Sequence, residues 1–426
     1  MTSLSFDQRR DLETLDRRAL ERLQLEKLNR LLAVVLAKNE FYQHKLAGRP
    51  RSLATLEELQ SLPLTLKDEL QPEGGETFAA NRTYEPDAYT RFHETSGTHG
   101  RPLAVIDTAE DWQWWIGCWQ FVLDAAGLTA RDRALLAFSF GPFVGFWSAF
   151  DALVARGVMT IPGGGMGSLA RIELLRKSGA TALFCTPTYA LRLAEVAAEN
   201  KIDLTPFSVA TIVVAGEPGG SIGTFRARIE AAWDARVVDH AGATEIGPWG
   251  FADSEGRGLH VNEAEFLAEF VSVETGRPAE EGELSHLILT TLGRSGAPVI
   301  RYRTGDLVRP HWNASGSNRF VLLAGGVLGR ADDMLIIRGV NVFPSAIEQI
   351  LHGFPEVAEY RLTARKRGAL DELIIEVEDH LNEPERIGRE LLVRLGLKVD
   401  VRCVPPATLP RFEGKGRRFI DERRNP

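Results

Sequence analysis

Cysteine is scarce in this sequence of 426 residues, which contains only Cys118, Cys185 and Cys403. Their spacing matches neither a disulfide framework nor a metal knuckle, so a reducing cytoplasm is the compartment that fits the sequence best. An excess of basic residues is also absent, since 50 Lys and Arg side chains stand against 58 Asp and Glu. Nucleic-acid binders need a basic surface for phosphate contacts, and the composition therefore argues against that class of protein.

Long apolar runs are missing as well. A helix that crosses a bilayer needs about 18 to 20 consecutive apolar residues, and no stretch of the sequence approaches that length. The first residues also lack the apolar core of a secretion signal. We therefore expect a cytoplasmic protein with no membrane partner. Apolar residues still make up 44% of the chain, and at about 150 residues per domain the length predicts two or three domains.

The spacing of the apolar residues predicts an α/β fold with a large N-terminal domain, residues 1–328. Leucines at helical spacing indicate a helical lead-in over residues 1–50. Between residues 90 and 260, short β-rich runs alternate with helical ones, a pattern typical of parallel strands in βαβ units. The expected strands are 103–106, 134–138, 158–161, 182–185, 211–215 and 236–239.

Helical patterns disappear over residues 261–328, where alternating runs such as 283–290 and 299–303 predict an antiparallel sheet. From residue 329 to 426 the order strand, helix, strand, strand, helix, strand returns. A segment of this length can fold separately, so we expect a small, mobile C-terminal α+β domain that is hinged at its start.

The first segment that could bind a ligand lies just before the expected strand 103–106. Its hydroxyls donate hydrogen bonds, its glycines let backbone amides face a ligand, and its arginine adds charge, which together suit a phosphate. It lacks the Gly-Lys-Ser/Thr ending of a Walker A loop, and taken alone such a segment is more often a plain surface turn. Its candidate residues are Thr95, Ser96, Gly97, Thr98, Gly100 and Arg101.

Four further segments recur in a specific order. Gly216-Glu217-Pro218 follows one expected strand, and His240-Ala241-Gly242-Ala243-Thr244-Glu245 follows the next. Asp306 stands in the run Tyr-Arg-Thr-Gly-Asp-Leu of the antiparallel region, and Arg330 and Asp332 open the C-terminal domain. Each segment is a weak signal by itself, whereas the set is specific.

The set resembles the adenylate-forming superfamily of acyl-CoA synthetases, peptide-synthetase adenylation domains and luciferases. More narrowly, the chain resembles the phenylacetate–coenzyme A ligase family, on the strength of Glu40-Phe41-Tyr42, the run Ser-Leu-Pro-Leu-Thr-Leu-Lys at 61–67 and Gly-Val-Asn-Val-Phe-Pro at 339–344. The resemblance covers nearly the whole chain. It implies that ATP converts a carboxylic acid to an acyl-adenylate and that coenzyme A then accepts the acyl group.

The resemblance also implies residue roles. Glu245 would hold Mg²⁺, because a hard cation prefers carboxylate oxygen, and Thr244 would hydrogen-bond the α-phosphate. Asp306 would accept hydrogen bonds from the ribose hydroxyls, and Arg330 would contact ribose or phosphate. The alternative without a function is a solvated loop acid for Glu245, a turn-forming aspartate for Asp306 and a surface ion pair for Arg330. The remaining nucleotide-binding candidates are Gly216, Glu217, Pro218, His240, Ala241 and Gly242, together with residues 95–101.

Lys415, in a glycine-flanked segment near the C-terminus, matches the family's lysine that enters the site for adenylation. An ammonium is compact enough to contact both the attacking carboxylate and the α-phosphate, whereas the alternative is a solvated basic tail. The second half-reaction would then need the domain to rotate, with Asp332 as the hinge. Gly339, Val340 and Asn341 would face the arm of coenzyme A after the rotation.

Two features concern the ligands themselves. Ala241 stands where the family usually has an aromatic residue that stacks on adenine, which leaves His240 or another ring to supply that contact. Five aromatic residues fall in the segment that lines the acid pocket in relatives, and aromatic walls suit a benzoate or phenylacetate. Ordinary core packing is the alternative for these residues, which are Phe138, Phe140, Phe143, Phe146 and Trp147.

Other functions stay open from the sequence. The adenylate could pass to a carrier-protein phosphopantetheine or to an amine instead of free coenzyme A. A non-catalytic nucleotide-binding homologue, with Ala241 as the mark of decay, is the alternative from another class. The sequence also leaves open whether the chain forms a homodimer.

Overall fold

The structure is a computed structural model that describes residues 4–72, 74–95, 102–145, 147–312, 315–331, 335–337, 340–367, 370–395, 398–412 and 418–424. Across these residues no helix combines the length and apolar character that a bilayer crossing requires.

The helical lead-in consists of α1 (Phe6–Glu13), α2 (Arg17–Lys38) and α3 (Glu40–Lys45). Side chains that accept hydrogen bonds from backbone amides begin the second and third helices: Asp16 caps α2, and Asn39 caps α3. The buried leucines of α2 pack against Leu267 and Leu292 of the antiparallel region. The lead-in is therefore part of the main body of the protein.

A nine-stranded mixed sheet forms the centre of the molecule. One half of the sheet consists of parallel strands, as the βαβ pattern predicts: β3 (Arg133–Leu136), β4 (Met159–Pro162), β5 (Ala182–Cys185), β6 (Thr211–Val214) and β7 (Arg236–Ala243). Their order in the sheet is β4-β3-β5-β6-β7, and the other half of the sheet is antiparallel. The antiparallel strands are β8 (Gly247–Ala252), β9 (Gly258–Val261), β13 (Pro310–His311) and β14 (Leu322–Ala324).

Helices connect the parallel strands. They are α5 (Trp147–Arg156), α6 (Ser168–Ser178), α7 (Pro187–Glu199) and α8 (Gly223–Trp233). Two clusters of buried apolar side chains occupy the two faces of this sheet, because successive residues of a strand point to opposite sides: Leu136 and Phe184 belong to one cluster, and Leu135 and Leu183 to the other. The confirmed fold class is α/β.

The strand expected at 103–106 does not join the parallel sheet. It is β2 (Ala104–Thr108), which pairs antiparallel with β1 (Tyr89–Glu94) and leads into α4 (Ala109–Ala125). All five residues of β2 are buried, and a short run of buried residues has the same appearance in the sequence whichever partner it has. The assignment to the parallel set was therefore wrong.

A second, four-stranded antiparallel sheet follows, with β10 (Phe266–Ser272), β11 (Ser285–Thr291), β12 (Tyr302–Val308) and β15 (Gly329–Arg330). The strand predicted at 299–303 begins only at Tyr302. The backbone N–H groups of Val299 and Ile300 donate instead to the hydroxyls of Thr291 and Tyr42, and Arg301 has a φ of 48°. The apolar β-branched residues Val299 and Ile300 thus have the sequence pattern of a strand but lie outside β12.

The remaining elements are β16 (Leu335–Ile337), β17 (Val340–Val342), α9 (Pro344–Leu351), β18 (Val357–Arg367), β19 (Leu370–Asp379), α10 (Pro384–Leu395), β20 (Asp400–Cys403) and β21 (Phe419–Asp421). They enclose their own apolar cluster, which includes Ile347, Leu362 and Leu391. The predicted domain boundary after residue 328 stays a prediction. Gly329 and Arg330 pair with β12, so this sheet extends past that point.

The C-terminal elements contact the parallel half of the central sheet through α8. The rings of Phe225 and His352 lie 4.1 Å apart, and the His352 Nε2 is 3.1 Å from the Tyr360 hydroxyl. Burial, reinforced by the charges of Arg418 and Arg228, lowers the pKa of His352 to about 3. The contact therefore holds a neutral imidazole at neutral pH.

Candidate functional site

Thr244 and Glu245 lie in the tight turn between β7 and β8. The Glu245 side chain is buried, and its Oε1 accepts a hydrogen bond from the Tyr302 hydroxyl at 3.0 Å. The Lys67 Nζ lies 3.5 Å from the same oxygen. Burial and the Glu245 carboxylate raise the pKa of Tyr302 well above its ordinary value, so this phenol stays a hydrogen-bond donor.

A backbone ladder holds Lys67 beside this turn. Thr65 N–H donates to the Arg301 carbonyl, and Arg303 N–H donates to the Thr65 carbonyl, both at 2.9 Å. The buried Thr65 hydroxyl donates to the Ile300 carbonyl at 2.7 Å. The sequence reasoning used this segment only for the family resemblance and missed both Lys67 and Tyr302 as site residues. The available signal was a lysine at the end of an apolar run.

Asp306 and Arg330 are neighbours across β12 and β15. Their Cα atoms are partners in the sheet, and the Arg330 Nη1 lies 3.3 Å from the Asp306 Oδ1. Both charges also act on the pKa of Tyr302, which Asp306 raises and Arg330 lowers. The structure thus brings Asp306, the predicted ribose contact, next to Arg330, the predicted contact of ribose or phosphate, and both charges act on the residue that donates to Glu245.

The segments after β6 and β7 lie at one edge of the sheet, since these strands are parallel neighbours. In the first segment Gly216 has a φ of 94°, a conformation that favours glycine. The Glu217 carboxylate accepts hydrogen bonds from the backbone N–H and the hydroxyl of Thr188, at the start of α7. Pro218 follows it. These two hydrogen bonds stabilise the first turn of α7, next to its N-cap Thr186.

His240 lies in the core and not in the open part of this edge. Its ring is 4.2 Å from the Trp119 ring, and its Nδ1 lies 2.7 Å from the Gly250 carbonyl. Burial lowers the pKa of His240 to about 4, so the ring is neutral. Of the two alternatives left open by the sequence, these contacts favour another ring over His240 as the group that stacks on adenine, and that contact stays a prediction. Ala241 pairs with Gly250 of β8, and Gly242 is exposed beside it.

The aromatic residues after β3 contact one another edge to face. Phe138 and Phe143 have ring centroids 6.1 Å apart, and Phe140 and Trp147 are 4.7 Å apart. Trp147 is 38% exposed. The carbonyl of Pro142 in this loop accepts a hydrogen bond from the last residue of β1 at 2.7 Å. The aromatic loop is therefore joined to the strand that leads into the polar segment 95–101.

Thr95 is buried at the base of that segment, where its hydroxyl accepts a hydrogen bond from Leu103 N–H at 3.0 Å. The backbones of Val340 and Asn341 lie in β17, paired with β16. The other predicted site residues lie outside the described residues and stay predictions. They are Ser96, Gly97, Thr98, Gly100, Arg101, Phe146, Asp332, Gly339 and Lys415.

Comparison with known proteins finds relatives of one kind, AMP-binding enzymes that include coenzyme A ligases. Residues 339–423 match the AMP-binding enzyme C-terminal domain family. The phenylacetate-coenzyme A ligase of Thermus thermophilus is 33% identical over 97% of this chain and 99% of its own length. The phenylacetate-coenzyme A ligase of Escherichia coli is 30% identical over 97% of both chains.

Solved structures match over almost the whole chain as well. 2-Hydroxyisobutyryl-CoA ligase in its postadenylation state, with 2-HIB-AMP, has a TM-score of 0.90 at 25% identity, covering 99% of this chain and 94% of that one. The same enzyme in its thioesterification state, with 2-HIB-AMP and CoA, has a TM-score of 0.74 at 26% identity, with the same coverage. The arrangement of this chain is therefore closer to the postadenylation state.

Proposed function

Because this chain belongs to the phenylacetate–coenzyme A ligase family, and is thus an AMP-forming acyl-CoA ligase, we propose that its acid is aromatic or arylacetic. The resemblance seen in the sequence is confirmed, and with it ATP and coenzyme A as co-substrates. The observation that carries the proposal is the 33% identity to a phenylacetate-coenzyme A ligase over 97% of the chain. The exposed Trp147 and its edge-to-face neighbour Phe140 support it, because aromatic walls favour aromatic guests.

In the first half-reaction, residues of the turn after β7 and of strands β12 and β15 would bind and orient the nucleotide. Asp306 would accept hydrogen bonds from the ribose hydroxyls, and Arg330, already paired with it, would stay close enough to balance its charge. Thr244 would donate its hydroxyl to the α-phosphate. Lys415 would contact the acid carboxylate and the α-phosphate, so that two anions can approach each other.

The Glu245 carboxylate fits a magnesium ion by the chemistry of its oxygens. The Tyr302 hydroxyl donates to Oε1, and the Lys67 ammonium lies 3.5 Å from the same oxygen. Carboxylate oxygen is the donor that Mg²⁺ prefers, and one or two carboxylates with substrate phosphates are its usual partners. When bound, Mg²⁺ would neutralise phosphate charge. We propose Glu245 as the protein ligand, with Tyr302 fixing the orientation of its carboxylate.

Lys67 would supply a second ammonium that belongs to the main body of the protein. Its position depends on the Thr65 ladder and not on the C-terminal domain. A cation held there would face the α-phosphate region in both half-reactions, whereas Lys415 would act only in the first. This difference separates the two lysines experimentally.

The acid preference is tested by acid-dependent exchange of labelled pyrophosphate into ATP, with a panel of aromatic and aliphatic acids. We expect benzoates and arylacetates to give the fastest exchange. Trp147→Ala should raise the KM for the acid about tenfold, whereas Trp312→Ala, which removes another exposed tryptophan, should leave it unchanged. Equal exchange with aliphatic acids, or no effect of Trp147→Ala, would contradict the aromatic proposal.

A further inference from the structure

A fully buried ion pair lies behind the Thr244–Glu245 turn. The side chains of Arg294 and Asp107 are 0% and 1% exposed, and the Arg294 Nε lies 2.7 Å from the Asp107 Oδ1. Removing two charges from water is costly, and their mutual attraction often does no more than offset that cost. A pair of this kind is therefore weak support for stability, and its other contacts show what it does.

Arg294 hydrogen-bonds to the backbone of the turn. Its Nη1 donates to the Glu245 carbonyl at 2.8 Å and to the Thr244 carbonyl at 3.3 Å. Asp107 is held in turn by the Trp115 indole N–H at 3.2 Å. One guanidinium thus joins strand β2, helix α4 and the two residues predicted to meet the phosphate and its metal.

The loop that presents Arg294 is fitted closely to α4. A Cβ at Gly293 would lie 2.2 Å from Trp114, and a Cβ at Gly296 would lie 2.2 Å from the Asp111 carboxylate. The Gly296 N–H donates to that same carboxylate at 3.0 Å. Glycine on both sides of Arg294 lets the loop approach the helix, which fixes where the guanidinium points.

We propose that Arg294, neutralised by Asp107, is a positioning residue that fixes the Thr244–Glu245 backbone so that the Glu245 carboxylate can hold a divalent cation. The inference rests on the metal role proposed for Glu245 and adds the group that sets its geometry. Arg294 orients the backbone of the turn through its two carbonyls, and Tyr302 orients the Glu245 carboxylate through Oε1. Without Arg294, the carbonyls of Thr244 and Glu245 lose this donor, and the turn has to shift to satisfy the buried Glu245 carbonyl.

The test measures ATP binding by calorimetry with and without Mg²⁺ and with no acid present, so the readout does not depend on turnover. The double variant Arg294→Met/Asp107→Asn removes both charges and keeps an acceptor for Trp115. Arg294→Lys keeps the charge but cannot reach both carbonyls and Asp107 together. We expect Mg²⁺ to tighten ATP binding by the wild type and this gain to fall at least tenfold in both variants, with metal-free affinity unchanged.

Arg156→Met is the matched control, because Arg156 also pairs with an aspartate whose side chain is shielded from solvent, Asp124, and donates to two backbone carbonyls. It should lower thermal stability without altering the Mg²⁺ gain. A wild-type gain that survives intact in folded Arg294→Lys and in the double variant would overturn the positioning role. If wild-type binding itself ignores Mg²⁺, the metal assignment of Glu245 fails, and this inference fails with it.

Discussion

Replacing Lys67 with methionine should slow both half-reactions while leaving folding stability almost unchanged. The Lys67 Nζ and the Glu245 Oε1 are 3.5 Å apart, and two unit charges near 4 Å attract by about 4 kcal/mol at an effective dielectric constant of 20. The Lys67 side chain is 40% exposed, so solvent screening reduces its contribution to folding to about 0.2–1 kcal/mol. A bound phosphate displaces that solvent, and we expect losses of about 100-fold in rate, typical for one preorganised donor.

Two assays separate the steps: pyrophosphate exchange reports adenylation, and thioester release from a supplied acyl-adenylate reports thiolysis. The control variant is Lys45→Met, because Lys45 pairs with Glu69 of the same segment at 2.5 Å and is not in contact with Glu245. It should leave both rates unchanged. A Lys67→Met enzyme that retains the wild-type rate of either step would refute the argument that Lys67 serves both.

Three further predictions concern the C-terminal domain. Lys415→Ala should suppress adenylation far more than thiolysis of a supplied acyl-adenylate; equal losses in the two assays would contradict a role confined to the first step. Asp332→Pro should slow thioester release while sparing pyrophosphate exchange, and unchanged release would contradict the hinge. His352→Phe should remove an acid sensitivity, because folded His352 stays neutral down to a pKa of about 3 whereas unfolded histidine takes up a proton below its ordinary pKa of 6.5. Between about pH 6 and 4, the wild-type free energy of unfolding should therefore fall relative to the variant by up to about 1.4 kcal/mol per pH unit; parallel pH profiles in denaturant titrations would contradict this.

Local patterns were enough to predict most of the fold. The runs at 182–185 and 211–215 are short, apolar and separated by helical periodicity, and both form parallel strands. The failures occurred where a partner far along the chain decides the outcome. Strand β2 pairs with β1 and not with the parallel sheet, and Ile300 donates its N–H to Tyr42, more than 250 residues earlier.

In the candidate site, too, local patterns predict some residues, whereas others depend on contacts far along the chain. Glu245, Asp306 and Arg330 stand in short motifs that predict a role for each of them, and the structure places Asp306 beside Arg330. Lys67 and Arg294 reach the turn from remote segments through tertiary contacts. The place of Lys67 at the end of an apolar run is a weak local signal, and no local pattern distinguishes Arg294 from other arginines, so the contacts of the folded chain are what point to both residues.

One competition measurement tests the central claim most directly. Purified protein receives ATP, Mg²⁺, coenzyme A and equal amounts of phenylacetate and hexanoate, and the products are identified by mass spectrometry. We predict phenylacetyl-CoA as the main thioester, formed together with stoichiometric AMP and pyrophosphate. Hexanoyl-CoA as the main product, ADP in place of AMP, or adenylate formation without any thioester would contradict the account.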